Sequence, residues 1–205
     1  MTYPLAPIPP AYDEGSGRPG FRSFKTPDPI RYPARWYRDL LIQATLDPAV
    51  EIIEEFPGHP TDAMGLILQV QGVRRRVLAV RDGIRLPPSS GIEAVIVTRS
   101  YVLSEPRCSN ARMVWSMRNT LVSPGIQLRA IAKLREHPGW MAIGRLSVDL
   151  SGSCAEPVEA ILALACAGRI EIDLSHGFSP DTQVRHRSAQ ELSLPISTGL
   201  LAVPV

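Results

Sequence analysis

Lysine is almost missing from this 205-residue chain, with two residues against twenty arginines. The skew favours planar, fork-like phosphate contacts over point-charge ones, and a GC-rich genome produces the same bias. A strong charge is also missing. The formal net charge is +2, which announces no nucleic acid by itself. Residues 1–118 hold 15 Lys/Arg and 12 Asp/Glu, while 119–205 hold 7 and 8, so phosphate contact is expected in the first half. Three cysteines, Cys108, Cys154 and Cys166, share no CxxC spacing. That argues against a disulfide framework and a zinc cluster and fits a reduced, cytoplasmic setting. No apolar run reaches membrane-spanning length. The opening MTYPLAPIPPAYDEG has neither the basic nor the apolar region of a secretion signal.

What is present is enough apolar residue, 44%, to build a core. Residues 1–33 carry eight of the twenty prolines and read as an extended arm, mobile before about Phe21. The spacing predicts a helix over 34–46, with Trp36, Leu40, Leu41 and Ala44 on one face, ended by Asp47-Pro48. Strands are predicted over 50–56, 66–71 and 74–81, the last two forming a hairpin about Gly72, and over 93–98. A helix over 111–120 turns Met113, Val114 and Met117 inward. Beyond Ser123-Pro124 the period becomes helical. Three helices are predicted, ending at His137, near Leu150 and at Ala167, then strands over 169–174 and 182–187. Three helices and a two-stranded wing make a winged-helix pattern over 123–188. The tail 189–205 is short and apolar.

Few residues offer chemistry of their own. His59, His137, His176 and His186 stand beside Gly, Pro, Ser or Arg, and none pairs with a ligand at helical spacing. Cys108 has no base beside it, and Ser151-Gly152-Ser153 reads as a linker. Asp39, Glu51, Glu54, Glu55, Asp62 and Asp82 read as solvated surface carboxylates, with Asp62 and Asp82 at strand ends where an acid could swing inward. The third C-terminal helix, AEPVEAILALACA, brings Glu156 and Glu159 and no basic group, so it would repel phosphates rather than read bases.

Between Arg31 and Arg81, YRDLLIQATLDPAV, the Phe56-Pro57 pair and the hairpin GLILQVQGVRRRVLAVR follow one another in a recognisable order. In this order the chain resembles the TnsA family, the endonuclease subunit of heteromeric transposases. The likeness extends through the GRI turn into an acidic strand ending in DL, covering about residues 22–187. It implies an α+β fold, with a restriction-endonuclease-like mixed sheet over 34–122 followed by the winged-helix-like unit. It also implies Mg²⁺ held by carboxylates for hydrolysis of DNA. The departures fall on that chemistry. The family's helix glutamate falls on Tyr37, its hairpin acid on Ile67, and its EVK triplet on Ala79, Val80 and Arg81. Hard oxygen ligands are what such a site needs, and these positions supply none.

The expectation is therefore a catalytically degenerate subunit with no cofactor. It would hold DNA weakly through Arg74, Arg75, Arg76 and Arg81, with Arg185 and Arg187 adding wing contacts, and dock on a transposase or ATPase partner. An active nuclease using Mg²⁺ at relocated ligands, Asp62 and Asp82, is the alternative. A winged-helix DNA-binding regulator is the third.

Overall fold

Two helices that are apolar on nearly every side take the centre of the molecule. The structure is a computed structural model and describes residues 20–56, 63–84 and 94–187. Helix α1, Arg35–Leu46, buries every residue from Asp39 to Leu46 besides Trp36 and Tyr37. The predicted single apolar face understates it: RWYRDLLIQATL has an apolar residue at every bearing round the helix, the mark of a helix enclosed by protein.

Strands β1 (Val50–Glu55), β2 (Ala63–Val70), β3 (Val73–Val80) and β4 (Val95–Thr98) form a mixed sheet in chain order. The first three run antiparallel, and β4 lies parallel to β3. Gln71 and Gly72, with φ of 51° and 75°, make the tight turn between β2 and β3. Two successive left-handed residues match the right-handed twist of the paired strands, so the hairpin register is fixed at its turn. Cross-strand partners share a face. Leu66 with Val77 and Met64 with Ala79 therefore point to the buried side. Ile67 with Arg76 and Gln69 with Arg74 point to the other.

A short helix α2, Arg99–Val102, leads into α3, Arg107–Ser116, and a 3-10 turn over Met117–Asn119. Helix α3 starts a turn earlier than predicted. It buries Cys108, Ala111, Val114 and Trp115, while Met113 and Met117 stay half-exposed. Then come α4 (Pro124–Glu136), β5 (Met141–Ala142), α5 (Ile143–Ser151), α6 (Pro157–Cys166), β6 (Ile170–Ile172) and β7 (Gln183–His186). The Ser123 hydroxyl accepts from the Ile126 amide at 3.4 Å and Pro124 opens α4, as the sequence predicts. Met141 and Ala142 are strand rather than helix because β7 returns beside them, giving an antiparallel sheet ordered β5-β7-β6.

Helix α6 is the second central helix, buried without a break from Ala160 to Cys166. It packs against α3 and the 3-10 turn on one side and α5 on the other. The Cys166 thiol donates to the Val114 carbonyl at 3.1 Å, and the Asn110 amide donates to the Leu174 and His176 carbonyls. One apolar core thus runs from Phe21 to Val184 across the chain connection at 122–123. Residues 20–33 belong to it too. Phe21 pairs with Ile30, stacks on Trp115 at 5.3 Å, and leaves the Lys25 carbonyl to accept from Ile53 at 2.9 Å. The predicted arm is therefore built in from about Phe21. The expected mobility before that point, and the tail 189–205, lie outside the described residues.

Candidate nucleic-acid interface

The strand partnership decides which of the sequence-derived positions can meet. Ala79 sits on the buried face of β3 at 0% exposure, opposite Met64. Ile67 sits on the reverse face, opposite Arg76. Ile67 and Ala79 therefore cannot line one metal site, contrary to the expected correspondence. Side chains alternate, so a slip of one residue sends a position to the other face of the sheet. The β2 residues that do share a face with Ala79 are Met64, Leu66 and Leu68, all buried. No residue within β2 or β3 is Asp or Glu; the acids nearest in sequence, Asp62 and Asp82, lie just beyond the strand ends. Tyr37 is 3% exposed, with its ring 3.7 Å from that of Trp36, and serves as core. Arg81 is exposed just past the end of β3. It stands five residues beyond Arg76, about 17 Å along an extended strand, so it is no part of the hairpin cluster.

Among the fallback ligands, Asp62 lies outside the described residues. Asp82 is exposed and accepts from the Ser100 amide at 2.9 Å; these bonds from Ser100 hold its carboxyl below the usual range. Asp39 overturns the expectation of a solvated acid. It is buried on α1 and receives a two-pronged contact from Arg112 of α3, Nε to Oδ1 at 2.9 Å and Nη2 to Oδ2 at 2.6 Å. That pairing raises the Arg112 guanidinium still further above its ordinary value. Its geometry is a helix-to-helix clamp, with both carboxylate oxygens occupied.

Arg74, Arg75 and Arg76 are all exposed at the turn end of β3. Arg74 pairs with Glu54 of β1, and Arg76 lies over the Phe56 ring at 5.2 Å, both on the outer face of the sheet. Arg75 points to the other face, opposite the buried Leu68. An open recess of about 930 Å³ borders all three, with Val73, Ala94 and Val95 among its other walls.

The wing arginines are occupied differently. Arg185 donates from Nε to Glu171 at 2.6 Å, lies over Trp140 at 4.6 Å, and is nearly enclosed. Arg187 is half-buried over Phe24 at 5.2 Å. Glu156 and Glu159 are exposed at the start of α6 as the sequence implies, but from Ala160 to Cys166 that helix is core and presents no face to a groove.

Sequence reasoning missed Lys25. Its side chain is buried at 5% exposure and donates to the Asp47 carbonyl at 2.5 Å and the Ala44 carbonyl at 3.4 Å. It thereby satisfies the Ala44 carbonyl in the last turn of α1 and gives the Asp47 carbonyl, which also accepts from the Val50 amide at 3.2 Å, a second donor. Burial brings its pKa down from 10.5 to about 7; Asp47 and, more weakly, Glu171 oppose the shift, and Arg187 adds to it. Comparison with protein-family models, with curated proteins and with solved structures finds no match. Among the described residues, no helix is long and apolar enough to cross a membrane.

Proposed function

We propose that this chain is a non-catalytic, DNA-holding assembly subunit of the TnsA type. One observation carries the reading. The hairpin that would hold the metal ligands has apolar residues on its buried face and no carboxylate, yet it ends in three exposed arginines. A metal-dependent hydrolase needs hard oxygen donors, and the expected positions carry Tyr37, Ile67 and Ala79, with only Met64, Leu66 and Leu68 of β2 on the Ala79 face, whereas holding a phosphate backbone needs only exposed guanidinium groups. The mixed sheet over 34–122 corresponds to a restriction-endonuclease-like core. The order α4, β5, α5, α6, β6, β7 over 123–188 corresponds to a winged-helix-like unit. With α6 enclosed, that unit serves packing and docking on a transposase or ATPase partner rather than base reading.

The test is a pair of assays on the purified chain. Duplex DNA should bind weakly, with a log-affinity against log-salt slope that flattens by roughly 0.9 for each arginine removed from the cluster. Plasmid DNA with Mg²⁺ or Mn²⁺ should remain uncut. Chelator-sensitive nicking abolished by Asp62→Ala or Asp82→Ala would instead favour an active nuclease with relocated ligands. Binding that ignores the triple replacement of Arg74, Arg75 and Arg76 would remove the DNA-holding role.

A further inference from the structure

Helix α1 is buried at every residue except two, Arg35 and Arg38, both in its first turn. No acid stands in that turn, and Ala34 gives it no side-chain cap. A helix N-terminus already carries partial positive charge, so arginines there oppose the helix rather than support it. Neither makes an ion pair or a side-chain hydrogen bond among the described residues. Stability does not account for their place.

Arg35 stands one turn before Asp39 and so on the same side of α1. Asp39 has both oxygens taken by Arg112 of α3 and is not free to neutralise Arg35. The Arg112 side chain is 50% exposed, against 5% for the acid behind it. Its Nε and Nη2 each donate to Asp39, and the Nη1 side of the fork is left over. A carboxylate that fixes the plane of a guanidinium also removes the cost of ordering it on a ligand. The three guanidinium groups are spread rather than convergent. Arg35 and Arg38 are neighbours on one helix, about 5–6 Å apart at Cβ. Arg112 comes from a second helix packed on the first, with axes roughly 8–10 Å apart. A single small anion would meet one or two of them, whereas a row of phosphates meets all three, and arginine is a principal donor to such a row. We infer that the outer corner of α1 and α3 is a second phosphate-holding surface, where Arg35, Arg38 and Arg112 take the backbone of duplex DNA. It takes its partner from the DNA-holding reading above and none of its residues from the hairpin. Glu105, exposed just ahead of α3 and held by bonds from Ser109, bounds the row with negative charge.

Fluorescence anisotropy of the full chain on a short DNA duplex, repeated across salt concentrations, tests this, with a poly-glutamate peptide as the competing ligand. Arg35→Ala and Arg38→Ala should each lower the salt slope by about 0.9, both in the parent and in the triple alanine variant of Arg74, Arg75 and Arg76. Arg112→Lys keeps the charge and loses the fork, and should weaken binding roughly tenfold, the worth of one charge-assisted hydrogen bond. Arg145→Ala, at an exposed arginine of α5, should leave the slope unchanged. A thermal melt of each variant checks that the fold is kept, and the unpaired Arg35 and Arg38 carry the test if Arg112→Lys does not fold. If Arg35→Ala and Arg38→Ala keep the parent slope while the hairpin triple lowers it, DNA is held at the hairpin alone and this surface is overturned. An Arg145→Ala loss as large as that of Arg35→Ala would mean bulk charge and overturn it as well. A loss with Arg35→Ala and Arg38→Ala but none with the hairpin triple would place DNA on this surface and not on the hairpin. Arg35-dependent binding of poly-glutamate tighter than that of duplex would give the surface to an acidic protein instead. Absence of any DNA binding would overturn both readings together.

Discussion

Replacing Lys25 by Met should make the protein's stability depend less on pH, and the direction follows from burial. In the folded chain Lys25 titrates at about 7, against an ordinary value of 10.5. Between those values the unfolded chain holds the proton and the folded one does not. Stability therefore rises with pH across that window, by about 1.4 kcal/mol per unit from this group. Below pH 7 both states are charged and the full ionic cost of about 3–5 kcal/mol is present; above 10.5 both are neutral and it is gone. Met fills a similar volume and carries no proton, but it leaves the Ala44 carbonyl without its donor and the Asp47 carbonyl with the Val50 amide alone, which costs about 1–3 kcal/mol. The variant should be at least as stable as the parent at pH 6 and less stable by about 1–3 kcal/mol near pH 10. Urea unfolding at intervals from pH 6 to 10 measures the difference, and other titrating groups cancel between the two chains. A constant offset across the range would refute the reasoning, because it would mean that the amine keeps its charge and its water in the folded state.

Three further outcomes follow from named contacts. Arg112→Ala should cost more than Asp39→Ala, about 3 kcal/mol against 1–2, because it strands a buried carboxylate while the reverse change leaves a half-exposed arginine that can turn to water; chemical denaturation of both variants decides the order. Gly168→Ala should destabilise by about 1–3 kcal/mol, since the residue is left-handed at φ +69° and a Cβ there would meet the Phe24 ring at 2.5 Å. Adding Phe24→Ala should recover the part due to the ring and leave the backbone cost of about 1 kcal/mol, read from a double-mutant cycle. Burial pushes the Cys166 thiol up to about 12 and Cys108 upward as well, so a thiol reagent at pH 8 should label Cys154 in the native protein and all three only after unfolding.

The helices and strands were largely legible because each is written in one clean period. β2 and β3 alternate about a turn that requires left-handed backbone, and α4 carries its own cap and proline. What local pattern could not supply is enclosure. Helix α1 and the length of α6 from Ala160 to Cys166 are enclosed by elements far away in the chain, and a one-face reading of α1 treats Asp39 and Gln43 as surface. Asp39 was misjudged for that reason: its partner Arg112 is 73 residues away, and no spacing rule reaches that far. The signal that was available is the apolar residue on each side of Asp39, Trp36, Tyr37, Leu40 and Leu41, which leaves the helix no solvent face there. Lys25 was hidden in the same way, by a proline-rich composition that reads as an arm but packs as a strap.

The site was less legible than the fold because strand geometry is unforgiving of a one-residue error. Setting the hairpin acid on Ile67 looked harmless in sequence, yet it put that position on the face opposite Ala79. The β2 residues that share a face with Ala79, namely Met64, Leu66 and Leu68, are nevertheless apolar, and the acids nearest in sequence, Asp62 and Asp82, lie beyond the strand ends. The arginines behave in the opposite way. Read as a run, RRR is one basic patch; placed on a strand, it divides between the two faces of the sheet, with Arg74 paired to Glu54. A patch would hold a flat array of phosphates with three equal charges. Contact on the outer face alone predicts that Arg74→Ala and Arg76→Ala lower the salt slope of DNA binding by about 0.9 each while Arg75→Ala leaves it unchanged, whereas contact through all three predicts that each replacement lowers it.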